Sequence, residues 1–484
     1  MDLGTKVTRG LFWSLGEKIL ANGVSFFVSL VLARLILPEE YGLIALITIF
    51  INISNVFVES GFGNALIQKR DADDKDFHTV FIFEIFVAVI LYLMLFFTAP
   101  IIAQFYGQNK LISILRVYGL IIILGSIKNV QHAYVSKRME FKLFFFSTLG
   151  GTLASAVVGI VMAYMGCGVW ALVCQVMMNS FIDSVVLFLR IKWKPKLYFS
   201  FAKLKNLYSY GWKLLVTGLL STIYDNLYGL FIGKIYNTTQ LALYNKGNSF
   251  PTLISNNVSS PIQSVTFPAL SLVQDDVKRL KIMTKKTLLT TSYVLWPMLI
   301  GMAVVAKSMI SLLITDKWLG CVVFLQINAL ATMFWPISSA NGQLINAVGR
   351  SDISLKLDIL KKIVGVCLLI VSIPFGIVIL AWGRAVGQWF ASVCDAYPNK
   401  KLINYGYLEQ IRDLIPNIIA NIIMFGATYT VGFIEVNVWL KLILQIAVGV
   451  ITYLLCSVVL KLEGFNYVRL QIAKMLKKGG KYDG

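Results

Sequence analysis

The sequence predicts an all-α integral membrane protein with about fourteen transmembrane helices, built as two pseudo-symmetric six-helix lobes plus a C-terminal helix pair. Three observations carry this. The chain is 57% hydrophobic and 14% charged, with mean hydropathy +0.74, whereas soluble proteins run near 45–50% apolar and about 25% charged. Apolar runs of roughly 20 residues, enough to cross a bilayer as helix, recur along the whole chain. The lysines and arginines fall mainly in every second loop. The first apolar run is longer than a signal peptide and no small-residue cleavage site follows it, so the chain is expected to be retained whole.

Breaking the chain at charged and Pro/Gly-rich punctuation places the first six spans near 11–37, 42–68, 77–100, 111–135, 143–165 and 168–190. The next six fall near 208–234, 242–272, 287–306, 320–347, 357–379 and 380–398, and the last two near 410–433 and 437–460. The eighth is polar and holds Pro251, Pro261 and Pro268. With both termini cytoplasmic, every cytoplasmic segment collects basic residues, such as Lys69, Arg70 and Lys75, or the run from Arg190 to Lys205. The external loops hold only Lys110, Lys234, Lys307, Lys317 and Arg384. This asymmetry accounts for most of the net charge of +20 without nucleic acid as a partner. The basic tail is expected to lie against anionic lipid.

The expected organisation is an N-lobe over 1–192, a basic cytoplasmic linker over 193–207 and a C-lobe over 208–402. A helix pair over 403–461 and the tail 462–484 follow. The lobes carry a weak internal repeat. At an offset of 199, Trp13, Leu15, Leu20 and Ile36 match Trp212, Leu214, Leu219 and Ile235. At an offset of 212, Ser126, Asn129, Gln131 and Arg138 match Ser338, Asn341, Gln343 and Arg350. Polar identities inside spans make the second set the stronger. A six-span repeat keeps both halves in one orientation, as in transporters that bind substrate between parallel repeats.

Polar stripes run along the first two spans of each half. Ser14, Lys18, Asn22, Ser25 and Ser29 fall within roughly 80° of one another on a helix. The second span repeats this with Thr48, Asn52, Asn55 and Glu59. The seventh carries Lys213, Thr217, Ser221, Tyr224 and Tyr228 with Asp225 at the flank, and the eighth carries Asn245, Ser249, Asn256 and Gln263 with Lys246 beside them. Glu84, Arg116, Lys128 and Asp183 add charge to spans three, four and six. Hydroxyls and amides can simply bridge helices, and Lys18 and Lys213, near cytoplasmic ends, can snorkel. Asp225 is deeper and cannot reach as far. A water-filled lumen explains four matching stripes better. Its candidate lining is Lys18, Asn22, Ser25, Asn52, Asn55, Glu59, Arg116, Lys128, Lys213, Tyr224, Asp225, Tyr228, Lys246 and Asn256.

Catalytic motifs are weak. The six cysteines are scattered without a C-x-x-C, and His78 and His132 stand far apart, so no catalytic, metal or cofactor residue is expected. "DADD" (71–74) contains the Asp-x-Asp of glycosyltransferases but sits in a charged turn with no domain around it. "GFGNAL" (61–66) is an incomplete glycine fingerprint and suits close packing better than a nucleotide. No Walker A sequence occurs.

"LARLILPEEYGLIALITIFINISNVFVESGFGNALIQKR" (32–70) resembles the first two spans of bacterial polysaccharide exporters of the Wzx/PST type. These belong to the MOP superfamily with MATE multidrug transporters and lipid II flippases of the MurJ type. "SKRMEFK" (136–142), "GVWALVCQ" (168–175), "YDNLYGLFIGKIY" (224–236), "FPALS" (267–271) and "NGQLINAVGRSD" (341–352) fit the same family. The resemblance implies fourteen helices and the movement of undecaprenyl-pyrophosphate-linked oligosaccharides to the outer leaflet of the bacterial cytoplasmic membrane. Membrane lipids and polysaccharide polymerase or assembly proteins are the partners it implies, and the driving source is a proton gradient, a sodium gradient or the membrane potential. Lys18 matches the early basic residues of lipid II flippases in placement only. On this reading basic residues would meet the pyrophosphate and Asn, Ser, Gln and Tyr the sugars. The alternative is a MATE-like cation-coupled exporter of small molecules, for which a lumen dominated by acids and aromatics is expected. A membrane-bound polymerase or glycosyltransferase would need a large external loop that is missing, and a passive scramblase would not need the repeat.

Overall fold

The computed structural model describes residues 3–59 and 61–470. Ser14's side chain and the basic tail from 471 onward, both singled out above, lie outside the described residues. The described chain is helical, with no strand. In order the helices are α1 (Leu3–Leu35), α2 (Pro38–Glu59), α3 (Phe62–Gln68), α4 (Asp74–Tyr106), α5 (Lys110–Tyr118), α6 (Ile121–Arg138), α7 (Lys142–Tyr164), α8 (Val169–Arg190) and α9 (Phe201–Ile235). They continue as α10 (Thr238–Ser271), α11 (Val277–Ile314), α12 (Val322–Thr332), α13 (Trp335–Ala347), α14 (Ser351–Ser372), α15 (Ile377–Ala396), α16 (Asn399–Leu402), α17 (Tyr407–Val431) and α18 (Val438–Val459).

Each expected span has a helical counterpart, three of them broken in two. The second breaks into α2 and α3 beside Gly61, whose φ of 70° is a left-handed conformation that glycine adopts without strain. Twelve helical segments among the described residues are long and apolar enough to cross a membrane. The two expected spans that fall short are α10 and α14. The first is rich in Asn and Ser and runs unbroken through Pro251, Pro261 and Pro268. The second carries Lys356, Asp358, Lys361 and Lys362 within 351–362.

The chain divides into two compact units, Met1–Ala242 and Leu243–Gly484. In the first, helices approach through small residues, as membrane helices must when hydrophobicity alone cannot join them. A Cβ on Gly151 of α7 would lie 2.8 Å from the Asn179 carbonyl of α8. One on Gly233 of α9 would lie 2.4 Å from Leu46 of α2, and one on Gly42 of α2 only 1.9 Å from the Thr238 carbonyl. These contacts group α9 with the first unit, although the repeat would start a second lobe there.

The segment expected to be a linker is anchored. Trp193 is 5% exposed and packs with Phe77, Tyr134 and Phe81. Leu204 and Leu207, at the start of α9, join the same cluster. The sequence between Arg190 and Phe201 is therefore a strap on the first unit. An apolar indole and two leucines at helical spacing give it more buried surface than its lysines can hold in water.

"DADD" has a structural role. Asp73 caps α4: its carboxylate accepts from the Asp76 amide at 2.9 Å, and Asp76 accepts from the Asp73 amide at 3.1 Å. Lys203 of α9 lies 2.8 Å from Asp73, and Lys69 lies 2.7 Å from Asp76. The Lys203 ammonium holds the Asp73 carboxyl down to about 2. A depressed carboxylate stabilises the fold above its unfolded pKa, and the effect is lost only as pH falls toward 2. Asp73→Ala is expected to cost about 1 kcal/mol at neutral pH, while Asp73→Asn keeps the cap and loses the ion pair. Thermal unfolding of the two variants in detergent separates these contributions. Equal stability of Asp73→Ala and wild type would refute the cap.

In the second unit, a buried amide network joins α13, α16 and α17. Asn341 and Gln410 exchange hydrogen bonds of 2.8 and 2.9 Å, and Asn399 donates to Asn341 at 2.6 Å. The Tyr453 hydroxyl of α18 donates to Asn417 of α17 at 2.8 Å.

Candidate functional site

The structure separates the expected lining residues into two groups: those taken up by contacts inside a unit, and those left on exposed faces. Arg116, on α5, stacks on the Phe96 ring at 4.4 Å and is packed against α4. Lys128 of α6 meets Asp183 of α8 at 2.5 Å. Asp183 is 1% exposed, and His132, one turn beyond Lys128, brings Nε2 to 3.7 Å from the same carboxylate. His132 stacks on Phe144 of α7 at 4.4 Å. Charges this deep persist only when paired, so the Lys128–Asp183 pair binds α6 to α8.

The second unit holds a counterpart. Asp395 of α15 pairs with Lys361 of α14 at 2.8 Å. Asp183 and Asp395 stand 212 positions apart, the offset of the polar repeat, and Trp170/Trp382 and Ser180/Ser392 match at the same offset. Asp395 and Lys361 were not among the expected residues. Extending the 212 register into the sixth span would have found Asp395. Lys361 could not be found that way, because it reaches its carboxylate from a different helix of the half than Lys128 does.

The remaining candidates lie on faces that the units leave open to different degrees. On α1, Lys18, Asn22 and Ser25 are exposed. Ser25 also borders a small polar cavity of about 130 Å³ that Thr152, Ser155, Gln175, Asn179 and Ser180 line from α7 and α8. On α2, Asn52 and Glu59 are exposed and Asn55 is half-buried, near Gly125 of α6. This stripe runs beside Leu46, Ile49 and Val56, which face the glycines of α9. On α9, Lys213 and Asp225 are exposed, Tyr224 is half-buried and Tyr228 is buried.

In the second unit, Lys246 of α10 is half-buried with its ammonium 5.7 Å from the Trp318 ring, and Asn256 is exposed. Arg384 donates to the Tyr244 hydroxyl at 2.9 Å nearby. A larger groove of about 470 Å³ opens between α11, α12, α15 and α17. Its walls are apolar, among them Ile300, Leu330, Trp382 and Phe425, with Gln326 and Asn421 as polar points. Among the described residues no three His, Cys, Asp or Glu side chains gather as metal ligands.

The exposed faces of α1, α2 and α9 thus offer cations, amides, hydroxyls and carboxylates, and the groove offers apolar surface. Residues 31–323 match the family model described as polysaccharide biosynthesis protein. The chain belongs to the polysaccharide biosynthesis protein family. It is a multi-pass membrane protein and a transporter. It is 24% identical over 448 residues to the teichuronic acid biosynthesis protein TuaB of Bacillus subtilis, covering 88% of each chain. It is 22% identical over 367 residues to the lipopolysaccharide biosynthesis protein WzxC of Escherichia coli, covering 75% of this chain and 74% of that one. In fold it is similar to the lipid II flippase MurJ in an inward closed conformation, with a TM-score of 0.74, 14% identity, and coverage of 93% of this chain and 98% of that one. The resemblance to Wzx-type exporters read from the segment 32–70 agrees with these matches.

Proposed function

We propose that this family member moves a polyprenyl-pyrophosphate-linked oligosaccharide, the undecaprenyl form in bacteria, from the inner to the outer leaflet of the cytoplasmic membrane by alternating access. The observation that carries the reading is the pairing pattern. The buried carboxylates Asp183 and Asp395 are neutralised inside the units by Lys128 and Lys361, while Lys18 and Lys213 stay exposed among amides and hydroxyls. The exposed ammonium groups suit the pyrophosphate, and Asn22, Ser25, Asn52 and Tyr224 suit sugar hydroxyls. The groove lined by Ile300, Leu330 and Phe425 suits isoprene units. The distribution of Lys and Arg supports cytoplasmic termini. Polymerase or assembly proteins would take the product at the outer face.

The test is protein-dependent transbilayer movement of such a lipid-linked oligosaccharide in proteoliposomes. Lys18→Ala is expected to slow movement about tenfold, the factor that ~1.4 kcal/mol of lost phosphate contact gives. Asp225→Ala and Lys246→Ala test the other exposed face and the second unit. Export of small organic cations with no movement of any lipid-linked glycan would replace this reading with the drug-exporter one.

A further inference from the structure

Among the described residues one buried acid has no counter-charge. Glu84, a third of the way along α4, is 0% exposed. Asn129 of α6 donates to its Oε1 at 2.9 Å, and its Oε2 has no hydrogen-bond partner among the described residues. Gly63 of α3 leaves Asn129 its room, since a Cβ there would stand 3.1 Å from the amide oxygen. The neighbours that act on Glu84 electrostatically are Asn129 and Glu59, the exposed acid at the end of α2.

Among the described residues no cation of the surrounding helices forms an ion pair with Glu84, and Lys213 of α9 stays exposed. On α6, Lys128 and His132 face Asp183, and Lys137 donates to the Leu66 carbonyl. On α5, Arg116 lies on Phe96. On α9, Lys203 sits with Asp73 and Asp76 at the N-terminal end of α4, about 12 Å or more along the helix from Glu84. Helix α3 carries no charge. On α4 itself, Asp74, Lys75, Asp76 and His78 are all in the first turns, well away from Glu84.

We propose that Glu84 is a proton-carrying site of the transport cycle, loaded from water and emptied toward Glu59. This rests on the transport reading above. A buried carboxylate without a cation is costly, so packings of α2, α4 and α6 that bury Glu84 select its neutral acid. Packings that wet it select the anion. That differential links proton binding to the conformational equilibrium. In loading, a proton from water forms an O–H bond at Oε2. In release, the proton passes to the Glu59 carboxylate and from there back to water, with no change of oxidation state. A bare sodium ion fits less well, because one of the two carboxylate oxygens already faces the N–H of Asn129 and not a further oxygen ligand.

Two measurements test this. Infrared difference spectra of the purified protein in lipid need no substrate. A carboxylic-acid C=O band that grows on acidification should be missing in Glu84→Gln and displaced in Glu84→Asp and Asn129→Ala. In proteoliposomes with a polyprenyl-pyrophosphate oligosaccharide, an imposed pH gradient should accelerate the wild type and leave Glu84→Gln at its gradient-free rate. A band that survives in Glu84→Gln, or a gradient response that survives there, overturns the proposal. If even the wild type moves no lipid-linked probe, the transport reading fails and the infrared result decides the site alone. Should Glu84→Gln fail to fold, the Asp and Asn129 variants supply the band test.

Discussion

Trp193→Ala is expected to destabilise the first unit by about 3–5 kcal/mol, the range for emptying a buried aromatic site. Trp193 closes a cluster that includes Phe77, Tyr134, Leu204 and Leu207, and His78 stacks on it at 5.4 Å. Its removal opens a cavity under the segment that joins α8 to α9, which frees the strap as well as loosening the core. Trp193→Phe should be close to neutral. The indole Nε1 is buried with no hydrogen-bond partner among the described residues, so phenylalanine loses some volume but also removes an unpaired donor. Thermal unfolding in detergent, followed by reactivity of thiols such as the half-buried Cys174, measures both variants. If Trp193→Ala melts with the wild type, the segment is a free linker after all.

Lys128→Met is expected to cost about 3–5 kcal/mol, because it strands the Asp183 carboxylate in the interior without its cation. The lysine side chain is 31% exposed and the aspartate 1%, so loss of the lysine should hurt more than the burial of either chain alone suggests. His132 at 3.7 Å offers a partial substitute. The decisive comparison is Lys128→Met with Asp183→Leu. Removing both charges should recover most of the stability, since a packed apolar pair often replaces a buried ion pair without loss. A double variant as unstable as the single one would mean that the pair acts through packing and not charge. Movement of the lipid-linked glycan by the stable double variant would separate Lys128 from the substrate-facing lysines. Its loss would return Lys128 to the path.

The helices were largely legible because their signals are local. Runs of some 20 apolar residues, charged punctuation and basic loops lie within one stretch of chain. α10 and α14 show the limit of that reading: both are helices where spans were expected, but neither is apolar enough to count as a span by length and composition alone. The stripe of Asn52, Asn55 and Glu59 was legible for the same reason, since helical periodicity alone puts them on one face. The strap at Trp193 was not legible. A lysine-rich segment reads as solvated until the hydrophobic pocket that receives its indole is known.

By itself, the sequence determined that this is a membrane protein built mainly of helices, with an internal repeat and polar faces at matching places in its halves. The tertiary structure decided which of the charges belong to those faces. Lys18 and Lys128 look alike as lysines within apolar runs, yet one is exposed and the other meets Asp183. The physical reason is that periodicity orders the residues around a single helix, whereas an ion pair depends on which faces two helices turn toward each other. That orientation is set by the packing of α6 against α8 and α14 against α15, over sequence separations that no local pattern spans.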